Sequence, residues 1–250
     1  MGLASYQVAA ATLFVSGIAW LWYRWRAERW AEGVARTLLD ARRALYTEIP
    51  EHRALSDGEA VEKRQRLDPT SDALPRFRRM ADYVDVYPPE SRFCVLDPEP
   101  IRVLVDTEGT TVALVFRSAT GILRIHLATE LGGGGWILTE NNEKEMHVQR
   151  PEGFHVLRVR NDASPAAIVA QHDERLAEVM GGTIGAVPVR TFADFVASHE
   201  RRWNAIRAHR RSIGWVLPSE VNYAPGTSPK DKERVYREIR RIVTSSDDTT

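Results

Sequence analysis

The residues best suited to acid–base or metal chemistry lie in one polar segment, residues 139–147 (TENNEKEMH), and His155 follows shortly after it. Carboxylates and imidazoles transfer protons in general acid–base catalysis, and both also bind zinc. If the protein is an enzyme, we expect its site in this segment, because function concentrates on loops mounted on a rigid scaffold. The candidate catalytic residues are Glu140, Glu143, His147 and His155.

Other observations favour a protein without catalytic activity. The spacing of the candidate residues matches no established ligand signature, so a solvated loop is the competing interpretation, and no metal or other cofactor is predicted. The glycines at residues 132–135 are followed by Trp136 and a strand-like run, which indicates a hairpin loop rather than a phosphate-binding loop. A mobile lid or a partner contact is the other use of such a loop. No nucleophile for covalent catalysis is predicted either. The single cysteine, Cys94, lies among apolar residues, and the sequence contains no Gly-x-Ser-x-Gly motif.

Two basic segments offer a binding surface instead. Residues 199–211 carry a net charge of +4 and residues 229–241 a net charge of +3. In a protein tethered to a membrane, such helix faces lie against anionic headgroups, and each charge near the surface contributes about 1 kcal/mol. Ordinary solvated helix faces are the alternative. The residues expected to contact anionic lipid or an acidic partner are Arg201, Arg202, Arg207, Arg210 and Arg211.

The tether itself is predicted from the first residues of the chain. Residues 3–23 contain no charged side chain, and a helix of this length spans roughly 31 Å, about the thickness of a hydrocarbon core. A cleaved signal peptide is disfavoured because no basic side chain precedes the apolar run and bulky residues follow it. A buried core helix is the remaining alternative. The residues expected at the membrane interface are Trp20, Trp22, Tyr23, Arg24, Trp25 and Arg26.

Charge and composition refine this prediction. The arginines that follow the apolar run place the C-terminal side of the chain in the cytoplasm and the N-terminus outside. The net charge of zero, from 34 basic and 34 acidic residues, argues against a nucleic-acid-binding protein. Only four of the basic residues are lysine, which indicates a GC-rich coding bias and hence a bacterial protein. We therefore expect a single-pass protein of the bacterial inner membrane.

The chain divides into five predicted segments. They are a transmembrane anchor (1–23), a juxtamembrane amphipathic helix (24–48), a linker with short helices (49–90), a cytoplasmic α+β domain (91–243) and a disordered tail (244–250). In the juxtamembrane helix, apolar residues recur at spacings of three and four, and Tyr23, Trp30 and Leu38 belong to this stripe. We expect the stripe to dock on the chain's own domain, with a coiled-coil dimer as the alternative.

The domain is predicted to be an antiparallel β-meander of about five strands with C-terminal helices packed on one face. The expected strands cover 101–106, 111–116, 122–128, 136–139 and 154–159. Arg124 and His126 alternate with apolar residues, so they share the wetter face of their strand. Helix-capping residues begin helices over 165–180, 191–212 and 229–243, and the linker contains helices near 59–66 and 76–87.

Three functions follow from these expectations. The first is an interaction module or accessory subunit of a membrane complex. Its expected partners are the lipid bilayer and either a membrane protein or a second copy of the chain, which would contact residues 3–46. The second is a membrane-surface enzyme, such as a metal-assisted hydrolase. The third is a small-ligand sensor, and both of these alternatives would use the 139–155 loop.

Overall fold

A computed structural model of the chain describes residues 3–59, 63, 74, 76–91, 98–118, 121–142, 150–181, 185–218, 221 and 228–247. Side chains near the start of the first helix are described only for Ser16 and from residue 19 onward. The chain folds as two compact units, one formed by residues 1–45 and 210–250 and the other by residues 46–209.

Four helices and seven strands make up the described part of the chain. The helices are α1 (Leu3–Thr47), α2 (Pro165–Met180), α3 (Phe192–Ser212) and α4 (Pro229–Asp247). The strands are β1 (Glu51–Ala54), β2 (Phe77–Val86), β3 (Ile101–Asp106), β4 (Thr111–Arg117), β5 (Leu123–Glu130), β6 (Trp136–Glu140) and β7 (Phe154–Arg158). The strands lie in the order β1-β2-β3-β4-β5-β6-β7, and all neighbouring pairs are antiparallel except β6 and β7, which are parallel.

The sheet is covered on both faces. Side chains of adjacent strand residues point to opposite faces, so Val103 and Leu104 belong to different hydrophobic clusters. Leu104 lies in the cluster that includes Ile168 of α2, and we call this side the α2 face. Val103 lies in the cluster that includes Phe195 of α3, and we call this side the α3 face. The expectation that helices cover one face only is therefore wrong.

The α+β class, the five expected strands and the three expected C-terminal helices are confirmed. Their boundaries follow the capping residues. The hydroxyl of Ser164 accepts a hydrogen bond from the Ala167 amide, and Thr191 and Asp194 each accept one from the other's backbone amide. α4 continues to Asp247, into the segment expected to be a disordered tail.

The helix expected over 76–87 is wrong, because this segment is the strand β2. A β-bulge between Arg79 and Ala81 shifts the register against β3. As a result, Phe77 packs on the α2 face and Tyr83 on the α3 face. In a regular strand, two residues six positions apart would share a face. Because of the bulge, the apolar residues of β2 do not recur at every second position, and their spacing resembles that of a helix. Of the helix expected near 59–66, the described residues 59 and 63 are helical, and the other positions lie outside the described residues.

The glycine-rich loop at residues 132–135 is a closely packed junction. The Gly132 amide donates to the Gly185 carbonyl, and the Trp136 amide donates to the Gly153 carbonyl. A Cβ atom on Gly135 would lie 2.7 Å from the carbonyl oxygen of Gly153, so only glycine allows this approach. The hairpin-loop prediction is confirmed, and the close backbone contacts give the loop a structural role.

In the first unit, α1 is one helix of 45 residues, without an interruption at Gly33. Its buried side chains include Ala31, Ala35 and Leu39, whereas Trp30 of the expected stripe is exposed. α4 contributes buried Val235 and Ile239 to the same unit. Glu32 and Arg241 join the two helices through an ion pair of 3.6 Å. The buried stripe is thus displaced by about one residue from the expected one.

None of the helices in the described part of the chain is both long enough and apolar enough to cross a membrane.

Candidate functional site

The structure separates the two described candidates of the predicted catalytic set. β6 and β7 are neighbours, but His155 lies opposite Ile137, on the α2 face, where its ring nitrogen Nδ1 is 3.3 Å from Arg175 of α2. Glu140 lies on the α3 face, opposite His126, and forms an ion pair of 3.3 Å with Arg150. Glu140 and His155 therefore cannot act on the same reacting group.

The other two predicted catalytic residues, Glu143 and His147, lie outside the described residues. Among the residues that are described, no three His, Cys, Asp or Glu side chains come together in a way that could hold a metal ion.

The surroundings of Glu140 form a cluster of positive charge on the α3 face, which we call the arginine cluster. Its members are Arg124, His126, Glu140, Arg150 and Arg202. The Nη1 atom of Arg124 donates to the backbone carbonyl of Asn141 and to the side-chain oxygen of Asn161. Among the described residues, the cluster therefore contains three guanidinium groups and one carboxylate. They come from β5, β6, α3 and the approach to β7.

The electrostatics of the cluster reflect this imbalance. Burial lowers the pKa of His126 to about 4, and Arg202, Arg124 and Arg150 add to that effect, while Glu140 opposes it. Burial also lowers the pKa of Arg202 to about 10, and repulsion from Arg150 contributes to the shift. At neutral pH His126 is therefore uncharged and Arg202 remains protonated.

A second polar group, centred on His199, adjoins the cluster. Trp203 donates from Nε1 to His199 Nε2 at 2.7 Å, and Arg202 Nη2 lies 3.0 Å from His199 Nδ1. Burial, together with the charge of Arg202, holds the pKa of His199 well below its usual value, so the ring is neutral. A neutral imidazole has only one bare nitrogen and accepts from only one of these two donors. The shorter contact belongs to Trp203.

His52 extends this group to the edge strand β1. Its Nδ1 atom lies 2.7 Å from the Asp85 carboxylate, and its ring packs edge-on against those of His199 and Tyr83 at centroid distances of 4.7 and 5.3 Å. The His52 side chain is buried, and its Nε2 atom has no hydrogen-bond partner among the described residues. An Asp–His pair of this kind orients an imidazole for proton transfer, and this one packs against Phe195 and His199 of α3.

The predicted basic face on α3 is divided among different environments. Arg201 donates from Nε and Nη2 to the two oxygens of Glu130 at 2.8 Å, and Ser198 donates to the same carboxylate at 2.6 Å. Arg202 belongs to the arginine cluster, and Arg210 is completely buried, with Nη1 3.5 Å from the Trp215 carbonyl. The face was predicted from charge alone, but successive residues of a helix point about 100° apart, so these arginines do not share one surface. Arg207 is partly buried and Arg211 is exposed.

One cavity adjoins the His199 group, and another lies on the α2 side of the sheet. The first, of about 20 Å³, lies beside Glu130, Trp136 and His199, which is room for about one water molecule. The other, of about 450 Å³, is an open cleft between the β3–β4 turn and the C-terminal half of α2. An ion pair of Arg76 with Asp173 lies at the wall of the cleft, with N–O distances of 2.7 and 2.5 Å.

The predicted membrane-interface residues are exposed on α1. Trp20, Trp22, Tyr23 and Trp25, which we call the aromatic collar, are each more than half exposed. The guanidinium carbons of Arg24, Arg26 and Arg29 lie 5.5, 5.3 and 5.3 Å from the ring centroids of Trp20, Trp22 and Trp25, respectively, each one helical turn earlier.

The arginine cluster was not predicted as a site. The sequence signal that could have indicated part of it is the alternation in β5, which places Arg124 and His126 on one face. Comparison with known proteins adds no further identification. No protein-family model matches the chain, and searches of curated proteins and of solved structures return no significant similarity.

Proposed function

We propose that this chain is a single-pass protein of the bacterial inner membrane, with its N-terminus outside and its sheet domain in the cytoplasm. The domain serves as an interaction module or accessory subunit of a membrane complex. α1 provides both the anchor and a contact surface for a membrane-protein partner or a second copy.

The aromatic collar is the observation that carries this proposal. Consecutive collar residues point around the whole circumference of α1, and all of them are exposed. Two turns later, Ala31 and Ala35 are fully buried, so the helix has a docked region and an undocked apolar region. A helix that is apolar on every side is suited to the interior of a membrane or a large core, and large exposed apolar patches mark interaction surfaces.

The arginines next to the collar support a membrane interface. Each pairs with a tryptophan one turn closer to the N-terminus, so the charged groups lie beside aromatic rings at one level of the helix. Tryptophan, tyrosine and arginine favour the headgroup region, because their apolar parts enter the bilayer while their polar parts remain hydrated.

The enzyme alternative receives less support from the geometry, since Glu140 and His155 lie on opposite faces of the sheet. The sensor function is the second candidate. It was predicted to use the 139–155 loop, and the arginine cluster surrounds Glu140 at the start of that loop.

Alkaline extraction of native membranes tests the anchor. We expect the full-length chain to remain in the membrane pellet, whereas a Leu13→Arg/Val15→Arg variant is released, because each arginine near the centre of a span costs about 2.5–3.5 kcal/mol. The control, Thr37→Arg/Asp40→Arg, places two arginines at exposed positions of α1 and should stay in the pellet. Release of the unmodified chain by alkali would overturn the proposal.

Orientation and partnership need separate tests. A reporter fused after Thr250 should be active only as a cytoplasmic fusion, and periplasmic activity would reverse the proposed topology. Gentle detergent extraction should recover a partner at stoichiometric amounts or a defined homo-oligomer. That association should be lost in the Leu13→Arg/Val15→Arg variant and kept in its control. A monomer without a partner would shift the proposal to the sensor function.

A further inference from the structure

We propose that the arginine cluster is an anion-binding site, in which Arg124, Arg150 and Arg202 bind a phosphate group or a similar oxyanion. The site does not depend on whether α1 is a membrane anchor, so the two proposals fail independently.

The first argument is charge. Three guanidinium groups face one carboxylate, Glu140, on a partly buried part of the α3 face. Bringing like charges together away from bulk water is unfavourable unless an opposite charge compensates them. Among the described residues, Glu140 supplies only part of that compensation. Burial is the main cause of the low pKa of Arg202, and the charge of Arg150 adds to it.

The second argument is unused hydrogen-bonding capacity. Arg150 uses Nη2 for Glu140, but its Nε atom is buried and has no acceptor among the described residues. Arg202 has no carboxylate partner in the described part of the chain, and its one close contact is His199 Nδ1. Arg202 therefore has guanidinium donors that no carboxylate among the described residues engages. Buried donors without acceptors are costly, and a ligand that supplies acceptors relieves this cost.

The chemistry of these donors selects the ligand. Guanidinium groups present planar pairs of N–H donors that match the oxygens of phosphate and carboxylate, and they hold their charge even when partly buried. A phosphate group provides several acceptor oxygens and close to two negative charges at neutral pH, which equals the surplus of the three arginines over Glu140. Phe116, whose ring lies edge-on to His126 at 5.0 Å, adds an apolar wall beside the group.

The phosphate group has two possible sources, a soluble phosphorylated ligand and the headgroup of an anionic lipid. Titration calorimetry on the full-length chain in a maltoside detergent distinguishes them. Inorganic phosphate and dihexanoyl phosphatidic acid are titrated separately at constant ionic strength. Binding of inorganic phosphate supports a soluble ligand, and binding of the lipid alone supports a headgroup site. Absence of binding with both probes would overturn the proposal, and would show that other carboxylates of the chain neutralise the cluster.

Variants of opposite sign make the test specific. Arg150→Gln and Arg124→Gln should each weaken binding about ten-fold or more, the usual effect of losing a charged hydrogen bond. Glu140→Gln should instead strengthen binding several-fold, because it removes the carboxylate that competes with the ligand. Arg160→Gln, which changes a highly exposed arginine paired with Asp162, is the matched control and should bind as the unmodified chain does. Equal weakening by Arg160→Gln, or weakening by Glu140→Gln, would contradict the assignment.

Discussion

Arg201 on α3 and Glu130 on β5 form an ion pair with two hydrogen bonds of 2.8 Å, and the carboxylate is only 7% exposed. Together with the hydrogen bond from Ser198, this pair joins the long helix to the centre of the sheet. If the arginine alone is removed, the carboxylate stays buried without a compensating charge. Removal of one partner therefore destabilises the fold.

We therefore expect Arg201→Gln to lower the free energy of unfolding by about 2–3 kcal/mol, measured by urea denaturation. The control is Arg160→Gln, which breaks a pair with Asp162 that is exposed on both sides and should change stability by less than about 0.5 kcal/mol. Equal effects of the two variants would contradict a structural role for the Glu130 pair.

His172 on α2 makes stability dependent on pH. It is fully buried, and its two ring nitrogens lie 3.0 and 2.9 Å from the hydroxyls of Thr129 and Thr139. Burial lowers its pKa from 6.5 to about 4. The unfolded chain thus binds a proton at this residue below pH 6.5, whereas the folded chain does so only near pH 4. The contribution of neutral His172 to the free energy of unfolding is fully present above pH 6.5 and is lost as the pH decreases towards 4.

His172→Gln should remove this contribution, because glutamine offers hydrogen bonds to the threonines without titrating. Chemical denaturation at several pH values should show that the free energy of unfolding decreases between pH 7 and pH 4. This decrease should be smaller in the variant by roughly 3 kcal/mol. A slope that is identical in both proteins would mean that His172 does not stay neutral in the fold.

Gly135 tests the packing of the glycine-rich loop. Gly135→Ala places a Cβ atom 2.7 Å from the Gly153 carbonyl oxygen and should lower stability by about 3 kcal/mol, measured by thermal unfolding. Gly133→Ala adds the same atom where no other atom lies within 4 Å, and should change stability by less than about 0.5 kcal/mol. If both substitutions are tolerated equally, the loop is a flexible hairpin rather than a packed junction.

Much of the fold was predictable from local patterns. Short apolar runs separated by glycine-containing turns identified the strands from Ile101 onward, and the hydroxyls of Ser164 and Thr191 marked the starts of α2 and α3. These signals depend only on neighbouring residues. β2 was missed since its bulge disrupts the alternation, and β1 because its four residues are mostly exposed. The parallel pairing of β7 was not predictable, because it depends on a crossover whose path the sequence pattern does not show.

The sites depended on long-range geometry to a greater extent. Glu140 and His155 were grouped by proximity in sequence, but the register of β6 and β7 directs them to opposite faces. Conversely, Arg124 and Arg202 are distant in sequence and come together only through the packing of α3 on the sheet. The exposure of the aromatic collar was expected from its composition alone, since bulky rings beside arginines suit an interface.

The depth of α1 in a bilayer tests the central proposal most directly. Spin labels attached to Leu13→Cys, Trp22→Cys and Asp40→Cys, in a Cys94→Ser background reconstituted in vesicles, report collisions with lipid-soluble oxygen and with a water-soluble nickel complex. We expect oxygen to dominate at residue 13, both quenchers to reach residue 22 at the interface, and the nickel complex to dominate at residue 40. Equal access of the nickel complex to residues 13 and 40 would show that α1 does not enter the membrane.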